Sequence, residues 1–163
     1  PKTGQTTSYD TGDDGDMERG VSWPSPRFTD NGNDTVTDNL TSLVWTRDAK
    51  APGTVACAPG VTKTWQNALN YVACLNTNSY LGYTDWRLPN INELESLIDT
   101  ERADPALPSG NPFSNVQIIY WSSTTSAGLL NAINAWVVIM SDGFVGNSSK
   151  TLTYYVWPVR AGQ

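Results

Sequence analysis

Tyr83-Thr-Asp-Trp-Arg-Leu-Pro-Asn90 is the stretch on which the architecture turns. Upstream of it, Trp65, Ala68, Leu69, Val72 and Leu75 recur at the spacing of one helical face, with Thr64 as the N-cap. Downstream, Ile91, Leu94, Leu97 and Ile98 form a second apolar stripe running to about Asp99, and Asn90 with Glu93 opens it as a capping box. The phrase therefore joins two helices. A buried Trp86 and the rigid Pro89 ahead of the cap fix how those helices cross. Arg87 is read as pairing with Asp85 or, alternatively, with a ligand carboxylate or sulfate, since a guanidinium suits bidentate oxyanion recognition.

Strand signals lie on both sides. Arg27-Phe-Thr-Asp30 and Thr35-Val-Thr-Asp38 flank Asn31-Gly-Asn-Asp34, whose residues tolerate positive φ, so a tight hairpin is expected there rather than a calcium loop. Leu43-Val-Trp45 extends that sheet. Residues 100–115 carry three prolines and little periodicity, which predicts a long loop and marks it as a candidate functional segment. Strands are expected over 117–122, 135–140 and 154–160, with a Ser141-Asp-Gly143 turn into Phe144-Val145. The pattern is α+β, with two helices and a mostly antiparallel sheet, and it contains no βαβ alternation. A single domain over 1–163 is expected, made of an irregular Asp/Gly-rich arm at 1–26 pinned by Trp23 and a core at 27–163.

The net charge is −6, the pI is near 4.4 and there is no histidine. A broad basic surface for nucleic acid is thereby disfavoured, and histidine-based triads and most zinc catalysis are excluded. Cys57 and Cys74 are the only cysteines, and an even pair in a Ser/Thr/Asn-rich chain reads as one disulfide. No apolar run approaches the roughly 20 residues of a membrane span. With Pro1 first and no hydrophobic leader, the chain reads as an exported domain, secreted, periplasmic or on the cell surface.

Eight of the sixteen acids lie between Asp10 and Asp38. Five of them, Asp10, Asp13, Asp14, Asp16 and Glu18, surround two glycines and offer the hard oxygen ligands that calcium prefers, although their spacing differs from the helix-loop-helix calcium loop. A solvated acidic turn is the competing reading. For a ligand, Trp121 and Ser123 in Tyr120-Trp-Ser-Ser-Thr-Thr125, together with Trp136, set aromatics beside hydroxyls, the pairing by which sugars are held; core packing is the competing reading. Residues 126–134 and the polar group Asp142, Asn147, Ser148, Ser149 and Lys150 are loop positions suited to recognition. Glu93 with Glu95, or Asp99 with Glu101, is the carboxylate pair an acid/base enzyme acting on polysaccharide would use.

Taken in order, Arg27-Phe-Thr-Asp-Asn-Gly to Leu43-Val-Trp45, Tyr83-Thr-Asp-Trp-Arg-Leu-Pro-Asn90 and Tyr120-Trp-Ser-Ser-Thr124 resemble the domain that ends the Legionella collagen-like adhesin, grouped with C-type lectin-like folds. The resemblance spans nearly the whole chain. It implies a C-type lectin-like domain that works without catalysis as an adhesion module, binding a glycan or a surface protein. It further implies sulfated glycosaminoglycans as ligands and a homo-oligomer, a trimer. The acidity opposes polyanions unless Lys150, Arg102 and Arg160 cluster on one face. The Glu-Pro-Asn type tripeptide of calcium-dependent lectins is absent, and Trp157 and Pro158 stand where the family often has Arg and Cys.

Overall fold

The computed structural model describes residues 1–127 and 133–162. Its described strands form two antiparallel sheets rather than the one expected from sequence. The first runs β1 (Phe28–Asp30), β2 (Thr35–Asp38), β3 (Leu43–Thr46) and β7 (Val159–Ala161); the second runs β4 (Ile119–Thr125), β5 (Asn134–Ile139) and β6 (Val145–Ser149). Among the described residues three α-helices accompany them: α1 (Asp14–Met17), α2 (Trp65–Thr77) and α3 (Ile91–Glu95). The architecture is α+β.

The hairpin forms where the turn chemistry places it. Gly32 and Asp34 take positive φ, and Asn31 N–H donates to the Thr35 carbonyl at 3.0 Å. α2 begins at the Thr64 cap, whose hydroxyl accepts from Asn67 N–H, and it buries Ala68, Tyr71, Val72 and Leu75. In β5 the side chains alternate across the sheet. Ala135 and Val137 join Trp121 against α2, while Val138 meets Leu94 and Leu97 on the α3 side. The second sheet is thus filled from both faces.

α3 opens with the full capping box of Asn90 and Glu93, but it ends at Glu95 instead of near Asp99. The cause is a diversion of its last carbonyls. Ser96 Oγ donates to Glu93 O at 2.7 Å, and the Arg27 guanidinium takes Ser96 O at 2.7 Å, so Leu97 and Ile98 reach the core from turns rather than from a helix. The loop at 100–115 proves to be wall. Ala106 and Leu107 are buried, and Ala106 N–H donates to Met140 O at 2.7 Å. The stretch expected as a strand at 154–160 pairs with β3 only from Val159 onward; before that it makes single bridges to Lys63 and Tyr120.

The Asp85–Asn90 phrase touches every layer. Trp86 is buried; its N–H and C=O close a two-bond clasp with the Asn76 amide, and its indole donates to Tyr80 O at 2.8 Å. Arg87 bridges Val159 through the backbone, and Pro89 O accepts from Ser123 N–H at 2.7 Å. The Arg87 side chain pairs with Glu93 at 2.6 Å through both nitrogens, not with Asp85; Asp85 takes Arg160 Nε at 2.8 Å instead. Glu93 therefore caps α3 and anchors Arg87 together. Burial raises its pKa, but Arg87 and the Asn90 N–H outweigh that and hold it below the ordinary glutamate value.

Cys57 and Cys74 form a disulfide, with Cα atoms 5.7 Å apart, tying the turn at Val55–Cys57 to α2. Restricting the unfolded chain in this way stabilises the fold by about 3 kcal/mol. The Cys57→Ser/Cys74→Ser variant is expected to lose about that much in urea unfolding monitored by tryptophan fluorescence; an unchanged midpoint contradicts the assignment.

Candidate functional site

Four of the sequence-chosen ligand residues converge at one end of the second sheet. There β4 ends, β5 begins and β6 ends, and the N-termini of α2 and α3 arrive through Trp65 N–H to Lys150 O (3.2 Å) and Ile91 N–H to Thr124 Oγ1 (3.1 Å). Ser123 is half-buried in this rim. Trp136 is half-buried beside its register partner Asn147, whose side-chain oxygen accepts from the Asn134 amide at 3.0 Å. Lys150 Nζ donates to Thr125 Oγ1 at 2.9 Å and lies 3.9 Å above the Trp65 ring, whose indole N–H donates to Ser122 O at 2.9 Å. The rim thus offers two half-buried indoles, one held ammonium and an amide pair. Part of the chosen stretch 126–134, namely 128–132, lies outside the described residues.

Two of the chosen residues are elsewhere. Trp121 is fully buried, and its indole donates to Lys63 O at 2.8 Å, so its ring packs in the core against Tyr154 and is closed to a ligand. A register shift between Trp121 and Thr125 separates it from the exposed end of its own strand. Asp142 sits at the opposite end of the sheet, where it accepts from Phe144 N–H at 3.0 Å and shapes the β5–β6 turn. Asn147 is exposed, as expected for a contact residue.

The acidic arm does not assemble a cation site. Among the described residues no group of three or more His, Cys, Asp or Glu side chains converges in a way that holds a metal. Each carboxylate is engaged by the chain itself. Asp13 caps α1 and accepts from Tyr9, Asp10 and Asp16 N–H groups, and these bonds hold its pKa below the ordinary value. Asp10 accepts from Thr11 N–H, Asp16 from Gly12 N–H and Asp14 from the Thr3 hydroxyl, while Glu18 pairs with Lys2 at 2.7 Å. The acids tie the turn, so the donor set does not fit calcium.

One carboxylate of each pair considered for acid/base chemistry is similarly spent. Glu93 is held by Arg87, and Glu101 fastens the arm by accepting from the Thr7 hydroxyl and from Thr6 N–H at 3.0 Å. Those bonds, the Thr7 hydroxyl first, lower the Glu101 pKa. A carboxylate with a depressed folded pKa stabilises the docked state above its unfolded pKa and loses that contribution as pH falls through the folded value. The arm is therefore expected to loosen below about pH 4. Thr6 and Thr7 amide resonances should move toward random-coil positions on acidification, and Glu101→Gln should already show the displaced positions at neutral pH. Resonances unchanged down to about pH 2 contradict the latch.

The basic residues do not pool either. Arg160 is buried, paired with Asp85 and stacked 4.0 Å over Tyr83, so its charge is unavailable to a polyanion beside Lys150. What sequence reasoning missed is a cleft of about 390 Å³ between the arm and α3, lined in part by Trp23, Asn92, Glu95 and Ile98. The pinning tryptophan of the arm was its one legible signal.

Residues 34–160 match the family model of the Lcl C-terminal domain. No curated protein matches the chain. None of the described helices is long and apolar enough to cross a membrane. With the matched segment running from the β1–β2 turn to Arg160 in β7, and so including α2, α3 and the whole second sheet, the chain belongs to the Lcl C-terminal domain family.

Proposed function

We propose that this domain is a non-catalytic adhesion module of an exported bacterial protein and that it recognises a glycan at the rim where β4, β5 and β6 meet the starts of α2 and α3. The observation that carries the reading is Trp136, half-buried beside the Asn134–Asn147 amide pair. An indole face with fixed amides alongside suits the C–H face and hydroxyls of a sugar. Lys150, steadied over Trp65, adds one cation at the same rim. The sheet and helix plan accords with a C-type lectin-like domain, and the disulfide accords with an oxidising compartment. The trimer that the family resemblance implies remains part of the proposal, to be weighed by light scattering.

The test is a glycan array probed with the purified domain, sulfated glycosaminoglycans included, with calcium and with a chelator. Specific binding is expected, and it should survive chelation because the arm acids are engaged by donors of the arm itself. Trp136→Ala should weaken it about tenfold or more, the loss of one stacked aromatic contact. Silence across the array removes the reading in favour of a purely structural subunit, and binding indifferent to Trp136→Ala removes the rim as its site.

A further inference from the structure

A second cleft lies apart from this rim, where the N-terminal arm crosses α3. The arm is seated by backbone bonds: Lys2 N–H to Val21 O at 2.9 Å and Thr100 N–H to Thr3 O at 3.0 Å. Gly4, at φ +97°, has no room for a side chain, since a Cβ there would meet Asp99 Oδ1 at 2.3 Å and the Trp23 ring at 2.7 Å. Trp23 is held in turn, its indole donating to Lys2 O at 3.0 Å and the Arg27 guanidinium standing 5.4 Å from its ring. The result is a cleft of about 390 Å³, within the roughly 300–1,000 Å³ of small-ligand sites, with Trp23 and Ile98 as apolar wall and Gly143 at its edge.

Its polar groups are what single it out. Asn92 and Glu95, three apart on α3, share one face and line the cleft, and neither side chain makes a hydrogen bond among the described residues. This is unlike Glu93 and Glu101, both fully engaged. Lys2 and Pro1 also line the cleft; the Lys2 ammonium is paired with Glu18, whereas the Glu95 carboxylate has no salt bridge among the described residues.

We infer that the arm–α3 cleft is a binding site for one ring of a neutral saccharide, with the ring's C–H face against Trp23 and its hydroxyls shared between the Asn92 amide and the Glu95 carboxylate. A carboxylate accepts from vicinal hydroxyls and an amide both donates and accepts, so the pair reads a diol. The same carboxylate, in a chain of net charge −6, turns away sulfated sugars. The site shares no residue with the rim around Trp136, so it stands or falls separately. Most of its arm-side wall precedes residue 34, before the family-matched segment.

The experiment is a titration of the ¹⁵N-labelled domain with glucose, galactose, mannose and N-acetylglucosamine, and with a sulfated glucosamine as charged control. One of the neutral sugars is expected to shift the amides of Asn92, Glu95, Thr100 and Gly143 saturably. Asn92→Ala and Glu95→Ala should each weaken that binding about tenfold with no change in unfolding temperature, and Trp136→Ala should leave it untouched. Gly4→Ala, which lifts the arm, should abolish it. The inference is overturned if none of the neutral sugars moves these amides, if the shifts gather at Trp136 and Asn147 instead, or if only the sulfated sugar acts.

Discussion

Asp38→Ala is expected to destabilise the domain by about 3–5 kcal/mol, a large share of the roughly 5–15 kcal/mol that holds a domain folded. Asp38 is fully buried and accepts from the Arg27 guanidinium, from Leu40 N–H at 2.8 Å and from the Thr41 hydroxyl at 2.6 Å. Removing it strands a guanidinium that already has one unpartnered nitrogen, Nε, and that burial alone has brought down to a pKa of about 10. The loss should exceed the sum of the visible bonds because a charge is left in a place without water. Arg27→Met/Asp38→Leu separates the two contributions. If the charge is the problem, the double variant should recover most of the stability in urea unfolding, and a double variant as unstable as Asp38→Ala contradicts that account.

Trp157→Ala is expected to cost about 3–5 kcal/mol as well, by opening a cavity instead of stranding a charge. Trp157 is fully buried, with ring centroids of Trp45, Phe113 and Tyr120 at 5.6, 4.7 and 5.2 Å, and its indole donates to Thr46 O at 3.0 Å. Three aromatic rings lose a common neighbour at once, and neither β3 nor the 154–158 segment can collapse into the space without breaking its bridges. Melting should fall by about 10 °C, and Trp157→Phe, which keeps the ring but not the donor, should lose less than half of that. A full loss in Trp157→Phe assigns the effect to the Thr46 bond instead.

These two variants also mark where sequence was readable. The Asn90–Glu93 capping box, the Thr64 cap and the Asn31-Gly32 turn are local signals, each complete within a few residues, and all three form as read. Partner choice was not local. Arg87 has Asp85 two residues away, yet Glu93 takes both of its terminal nitrogens, and Arg160 claims Asp85 across the fold. Trp121 and Trp136 look alike in composition, but Trp121 pairs with Val137, so strand alternation puts the Trp136 indole on the opposite face of the sheet, and which face is core is fixed only by the helices that pack there. The arm acids left two readings open for a related reason: composition reports oxygen donors, whereas ligand geometry depends on which of them the chain has already taken. The cleft at Trp23 was out of reach because its two walls lie about 70 residues apart in the chain.

The pairing of β3 with β7 carries a further consequence, for the order of events during synthesis. Leu43 aligns with Ala161 and Trp45 with Val159, so the first sheet stays open along β3 until the last strand has left the ribosome. Before that moment the β1–β2–β3 meander can form from neighbouring residues, but it presents a bare edge and an uncovered Trp45. Loop closure over more than a hundred residues is slow and is rewarded only at its end. The first sheet of this domain therefore stays incomplete while the residues between β3 and β7 are made, and it closes in one late step when Val159–Ala161 docks.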